Sequence, residues 1–454
     1  MAPSTHRPIR LAWFSPMPPV RSGVSTNSAE LVRRLADDYE IDVFVDAPAP
    51  GARSAHDFIW LHRRAPYDLT VYQLGNSSHH NFLWPYLFRF PGLAVLHDVH
   101  LHHARAALLL TEGRADQYRA EFAANHPDTS ADVAEVAAAG FDSYLYYMWP
   151  MTRLIVEASR LTAVHSRGMA DRLREDLPGR SIEVVRLTQG EEVGAELEAD
   201  VRQAVRARYG LAPDALIVGV FGGLTREKRI PQILAAFAAT MASVPSAHLL
   251  LAGAATPLYD PARDVRDRGL TGRVTVSGYL ETDDDLTGAI AASDIVLNLR
   301  WPTAREVSGP WLRALAAGKP TVTIDLAHLW DVPSLDPRAW NLSGPPGPRA
   351  PGPAVTVAVD ILDEDHSLRL ALRRLMTDPD LRASLGAAAR RYWQQEHSPE
   401  TSVADYHRAI ALALARKAPD VPLPPHLTAS GDETLRALLQ PFGVGVHFED
   451  STQR

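Results

Sequence analysis

The chain has 454 residues, 46% hydrophobic and 22% charged, with a net charge of −8 and no cysteine. Two or three domains fit that length, and the composition excludes disorder, collagen and coiled coil as overall descriptions. Without cysteine there are no disulfides, thiolate nucleophiles, iron–sulfur clusters or cysteine zinc sites, which fits a reducing compartment; the acidic balance, with no basic tail, argues against nucleic acid as a partner.

Near the N-terminus only Leu11 to Phe14 forms an apolar run before prolines intervene. A secretory signal needs about 7–15 apolar residues and a membrane span roughly 18, and no segment supplies them. A soluble cytoplasmic protein is expected, with peripheral contact at the inner face of a membrane left open. Short β-branched runs then alternate with helical patterns, as in α/β proteins with parallel sheets. The strands expected in the first half are Ile9–Phe14, Ile41–Val45, Leu69–Gln73, Leu93–His97, Leu161–His165 and Ile182–Val185. Between His100 and Ser159 the pattern is mostly helical, and the aromatic stretch FDSYLYYMWP reads as packing.

A charged, strand-free segment, GEEVGAELEADVRQAVRARYG, separates this half from a second series. Its strands are expected at Ala215–Phe221, His248–Ala252, Arg273–Ser277, Ile295–Leu299 and Thr321–Ile324, with a further one at Val355–Val359. Asn341–Pro353 is rich in Pro and Gly and reads as a surface loop. Helical periodicity follows over Ser367–Met376, Pro379–Gln395 and Glu400–Lys417. The expected division is 1–193, an N-terminal Rossmann-like domain; 194–396, a C-terminal Rossmann-like domain; 397–417, a helix packing back on the first domain; and 418–454, a Pro-rich linker and tail.

Chemistry concentrates at strand ends. In VFGGLTREKRIPQILAAF, Gly222 and Gly223 follow a strand, Arg226, Lys228 and Arg229 supply charge, and Pro231 suits a first helical turn. Glycines allow close backbone approach, so the loop reads either as a diphosphate site or as an ordinary βα loop with solvated basic residues. In LRWPTAREVSGPWLRALAAGKP, Glu306 lies just after a strand, and the amides of Val307 to Gly309 open a helix, a setting that favours an anion. Taken alone, Glu306 could equally be a solvated carboxylate. Gly23 precedes a helix without dinucleotide-fingerprint spacing. His97 and Asp98 end a strand, and the nearby His100, His102 and His103 lack the carboxylate pattern of a metal site, so a substrate contact fits better. Asp283, Asp284 and Asp285 read as an acidic first helical turn rather than a metal motif.

In order and spacing these segments resemble the retaining glycosyltransferases of family 4, whose GT-B fold is two Rossmann-like domains facing a cleft. The resemblance covers residues 9–416 and is strongest from Val218 to Asp325. It rests on Ser22–Gly23–Val24, the LHD at Leu96–Asp98, VHS at Val164–Ser166, GGLTREK, LLAGA at Leu250–Ala254, VSGYL at Val276–Leu280, ASD at Ala292–Asp294 and REVSG…LAAGKP. The QLGNS stretch, Gln73 to Ser77, is similar to a bacterial branch.

The resemblance implies transfer of a sugar, with retention and without metal or other cofactor, from a nucleotide-sugar donor to a glycan, lipid-linked or small-molecule hydroxyl. It casts Glu306, His97 and Lys228 as catalytic. Gly23, Gly222, Gly223, Arg226, Lys228, Tyr279, Leu280, Val307, Ser308 and Gly309 would bind the donor, Tyr279 and Leu280 bordering the base. Asp98 and His165 would lie on the acceptor side. Two departures stand out. Ala314 occupies the position of the family's second motif glutamate, the ribose contact, and Gly223 replaces an arginine whose charge Arg226 would supply. A catalytically impaired binding or scaffold protein, or another GT-B reaction such as epimerisation or phosphorolysis, stay as alternatives.

Overall fold

A computed structural model describes residues 7–140, 144–192, 195–325, 332–343, 352–429 and 437–443. The first sheet contains β1 (Arg10–Phe14), β2 (Glu40–Val45), β3 (Arg53–Ser54), β4 (Leu69–Leu74), β5 (Leu93–Leu96), β6 (Leu161–Val164) and β7 (Ile182–Val184). They lie in the order β3-β2-β1-β4-β5-β6-β7, all parallel. Parallel strands are connected by helical crossovers that bury both faces. Accordingly Ala12 and Phe14 of β1 enter one core, whereas Leu11 and Trp13 enter the other.

The second sheet contains β8 (Leu216–Phe221), β9 (Ala247–Ala252), β10 (Val274–Gly278), β11 (Ile295–Asn298), β12 (Thr321–Ile324), β13 (Ser334–Leu335), β14 (Leu342–Ser343) and β15 (Thr356–Val359). Its order is β10-β9-β8-β11-β12-β15-β13-β14, parallel except where β13 meets β14. The expectation of a loop over Asn341–Pro353 is corrected at its start. Leu342 and Ser343 pair with Leu335 and Ser334 as a small hairpin at the sheet edge. Residues 344–351 lie outside the described residues. The edge strand β3 was also not anticipated, since two polar residues carry no alternation.

The helix Pro399–Leu414 covers one face of the first sheet, where Tyr406, Ala409, Ile410 and Ala413 are buried against β1, β4, β5 and β6. The segment read as a linker after Lys417 also packs on that domain, through Val421, Leu423 and Leu427. There His426 bonds Glu121 at 2.9 Å, and Glu121 is fully buried in an ion pair with Arg105. Within the aromatic stretch, residues 141–143 lie outside the described residues, and Tyr146 is buried. Tyr144 and Met148 are exposed, so packing accounts for only part of it. Among the described residues, no helix is long and apolar enough to cross a membrane.

In each sheet the chain runs outward from the first strand in one direction, then returns to the other side. The reversal falls between β1 and β4 and between β8 and β11. Crevices form at the carboxyl ends of strands at such points, and here the two crevices face each other.

Candidate active site in the interdomain cleft

The facing crevices enclose a cavity of about 870 Å³. The first domain lines it with Pro18 to Thr26, His97 and Asp98. The second contributes Gly222, Gly223, Lys228, Tyr279 to Asp283, Arg300, Glu306 to Pro310 and Arg313. The domains touch around it. Ala304 O accepts from the backbone N–H groups of Val99 and His100, at 3.0 and 3.1 Å. Arg21 pairs with Glu281 at 2.9 Å and lies 4.4 Å over the Tyr279 ring. Arg313 reaches Gln189 in the connecting segment at 3.1 Å and Asp283 at 3.0 Å.

The loop after β8 is built by close packing. Gly222 has φ +90°, and a β-carbon there would sit 3.0 Å from the Lys228 Nζ; one on Gly253 would lie 2.0 Å from the Gly222 carbonyl oxygen. Small residues therefore let this loop fold over the Lys228 side chain, which is buried and donates to the Phe221 carbonyl. Burial, and next the charge of Arg300, push the Lys228 ammonium down to about 7 against the pull of Glu306. A ligand anion at this point would reverse that balance.

On the facing loop, Glu306 is held from two sides. Arg300 Nε lies 2.6 Å from Oε1, and the Thr303 hydroxyl donates to Oε2 at 2.7 Å. The Ser308 hydroxyl donates to Asn298 Oδ1 at 2.8 Å rather than capping its own helix. Among the described residues no side chain caps the helix Gly309–Ala316, and Val307, Ser308 and Gly309 at its start line the cavity, a setting in which an anion is favoured. Across the cleft, Asp98 Oδ2 accepts the Asn76 N–H at 2.6 Å. Burial and then the Glu306 charge push the Asp98 carboxyl up to about 7.

His97 reaches the cavity floor, yet both ring nitrogens are engaged. His165 Nδ1 lies 2.7 Å from Val185 O, His165 Nε2 lies 3.1 Å from His97 Nδ1, and His97 Nε2 lies 2.8 Å from the Gln73 side-chain amide. One proton order satisfies this chain. With the Gln73 amide turned over, so that its NH₂ rather than its oxygen faces His97, His165 donates to Val185, His97 donates to His165, and the Gln73 oxygen takes the Tyr406 hydroxyl. Burial holds His97 well below the usual imidazole range and His165 at about 4. Both rings are therefore neutral at pH 7.

The expected site residues divide clearly. Gly23, His97, Asp98, Gly222, Gly223, Lys228, Tyr279, Leu280, Glu306, Val307, Ser308 and Gly309 meet at one cavity. Arg226 lies apart from the lining, its guanidinium 6.0 Å from the Tyr259 ring centroid. His165 sits behind His97 and also falls outside the lining. Ala314 is fully buried in the core of the second domain. The histidine run is likewise dispersed, because His102 bonds Trp149 O and the Tyr118 hydroxyl while His103 stacks on Tyr146. The Thr282 hydroxyl caps the helix by accepting the Asp285 backbone N–H, and the Asp285 side chain pairs with Arg208. Arg21, Arg300 and Arg313 were not anticipated. For Arg300 a signal existed, since it stands just past the carboxyl end of β11 beside the switch point.

Comparison with known proteins agrees with this architecture. Residues 215–333, which carry the Gly222 loop, Lys228 and Glu306, match the family model described as Glycosyl transferases group 1. Among curated protein sequences none matches the chain. Similar solved structures include sucrose-phosphate synthase from Thermosynechococcus elongatus, with TM-score 0.60 and 18% identity over 88% of this chain and 98% of that one. Anabaena HepE in complex with UDP and glucose has TM-score 0.58 and 14% identity over 89% and 99%. The catalytic domain of starch synthase IV from Arabidopsis thaliana, bound to ADP and acarbose, has TM-score 0.58 and 13% identity over 90% and 99%. The fold is GT-B, two Rossmann-like domains around a central cleft.

Proposed function

We propose that this chain is a glycosyltransferase that moves a sugar from a nucleotide-diphosphate donor to a hydroxyl acceptor, with retention and without a metal. One observation carries the reading. Lys228, the open amides before the Gly309–Ala316 helix and the Glu306 carboxylate converge on one interdomain cavity, within the segment that matches Glycosyl transferases group 1. The solved structures that hold UDP or ADP share the fold.

In this reading the donor diphosphate lies against Gly222, Gly223, Lys228 and the amides of Val307 to Gly309, with the base toward Tyr279 and Leu280. Such donors, fixed before the reaction, stabilise the charge that grows as the sugar–phosphate bond breaks. The acceptor oxygen bonds to the anomeric carbon on the face the diphosphate leaves, and a phosphate oxygen takes the acceptor proton. Glu306 orients the sugar hydroxyls. His97, neutral and engaged at both nitrogens, shapes the floor rather than taking a proton. The acceptor, a glycan, a lipid-linked glycan or a small molecule, enters on the first-domain side beside Asp98.

The test is thermal unfolding with UDP, GDP, ADP and dTDP, each with and without EDTA, followed by turnover of the matching nucleotide-sugar. A ligand at 100 times its Kd stabilises by about 2.7 kcal/mol. A shift with one nucleotide, insensitive to EDTA, and release of that nucleotide from its sugar are expected. The buried Ala314 favours a second reading, a nucleotide-sugar-binding protein with impaired catalysis. A nucleotide shift with neither transfer nor donor hydrolysis would select it.

A further inference from the structure

Of the three cleft arginines that the sequence did not mark out, Arg300 is the one that meets the Glu306 carboxylate. It leaves β11 after Leu299 and meets Glu306 through an Nε–Oε1 distance of 2.6 Å. The loop between them is pinned along its length. Trp301 N–H donates to Glu227 O at 2.7 Å, joining it to the Lys228 loop. Ala304 O accepts from Val99 and His100 of the other domain. Arg305 N–H donates to the Thr303 hydroxyl at 2.9 Å, and that hydroxyl in turn donates to Glu306 Oε2. Oε2 thus accepts a hydrogen bond and Oε1 lies in an ion pair with Arg300, and the Glu306 side chain is only 15% exposed. Resting on the transferase reading, we propose that Arg300 is a positioning residue that acts through Glu306, holding its carboxylate in the orientation the donor sugar meets.

The charges around Glu306 give this a measurable signature. Lys228 and Arg300 face it from the second domain and Asp98 from the first; Glu227 and the Tyr147 hydroxyl share the same field. Two carboxylates in one site disfavour each other's charge. Burial and the facing Glu306 carboxylate hold the proton on Asp98, so Asp98 is the carboxyl of the pair that titrates near 7. The Arg300 charge lowers Asp98 and Lys228 alike, so its removal moves both titrations upward.

The experiment compares wild type, Arg300→Gln and Arg300→Lys for nucleoside diphosphate affinity, kcat, KM and the pH profile of kcat/KM. A misplaced reacting group costs up to about 100-fold. Arg300→Gln is expected to keep its nucleotide Kd within about threefold, to lose about 10- to 100-fold in kcat, and to move the limb near pH 7 upward by about 0.5–1 unit. Arg300→Lys, which keeps the charge, should restore the limb but only part of kcat. An unchanged kcat and limb in Arg300→Gln overturn the inference, as does a loss confined to nucleotide affinity. Should Arg300→Gln not fold, Arg300→Lys with Thr303→Val carries the test, and wild-type kcat in that double variant overturns the inference. Wild type that binds nucleotide but turns over no donor defeats the transferase reading separately. The pH dependence of nucleotide affinity then decides the Arg300 inference, a shift in Arg300→Gln supporting it and no shift overturning it.

Discussion

The Gly253 backbone approaches Gly222 so closely that a β-carbon on Gly253 would lie 2.0 Å from the Gly222 carbonyl oxygen. The contact joins the ends of β8 and β9 directly beneath the Lys228 ammonium. Gly253→Ala must push the two strand ends apart. Overpacking costs typically about 1–3 kcal/mol. Reduced thermal stability together with a loss of nucleotide-induced stabilisation is the expected result. Gly23→Ala, where a β-carbon meets nothing within 4 Å, serves as the contrast for stability.

Lys228→Ala should reduce turnover at least 30- to 1000-fold, about 2–4 kcal/mol of transition-state stabilisation. The free protein carries a pH signature as well. With its pKa lowered from 10.5 to about 7, Lys228 is neutral in the native state and charged in the unfolded state between those values. The unfolded chain binds more protons there, so wild-type stability rises with pH across that window relative to Lys228→Met. Diphosphate affinity, if Lys228 holds that group as proposed, should have the opposite trend and fall as pH rises through 7. Urea melts and nucleotide titrations at pH 6, 8 and 9.5 check both signs.

Asp98 gives the reverse case. Raised from 3.8 to about 7, its carboxyl keeps a proton in the native state that the unfolded state releases. Its contribution is fully present below pH 4 and is lost as pH rises toward 7. Between pH 5 and 8 wild type should lose about 1–3 kcal/mol relative to Asp98→Asn. Parallel melting curves for the two proteins would contradict this.

His426→Ala removes the 2.9 Å partner of Glu121, a carboxylate with no solvent exposure. Arg105 still pairs with it, so the expected cost is about 1–3 kcal/mol, read as a lower Tm. Nucleotide affinity should stay unchanged, because neither residue lines the interdomain cavity.

These tests fall on positions that differ in how openly the sequence announced them. Strands such as Leu93–Leu96 and Leu216–Phe221 were legible because parallel strands covered on both faces are unbroken apolar runs. Lys228 and Glu306 were legible as loop residues at strand ends, where crevices form. Arg226 has the same local setting, yet points to Tyr259, since a place in a loop says nothing of which way a side chain turns. His165 shows a further limit, for it ends a strand as His97 does but lies one layer deeper, behind that ring. Arg313 gains its meaning only from Gln189 and Asp283, partners distant in sequence that local pattern does not encode, whereas Arg300 meets Glu306 within one loop and was open to notice from its place just past β11.

The helix Pro399–Leu414 closes the first domain with residues that follow the second domain in sequence, Tyr406 lying in the same hydrogen-bonded chain as Gln73 and His97. On the ribosome, β1 to β7 emerge before the second domain, with the apolar face that carries Leu11, Trp13 and Val71 covered only in part, by Leu31 and Leu35. At about 5–20 residues per second, that face waits while the whole second domain is made. The first domain is therefore the earlier to be synthesised and the later to be completed, and the floor beneath the cleft is finished only when the second domain already exists.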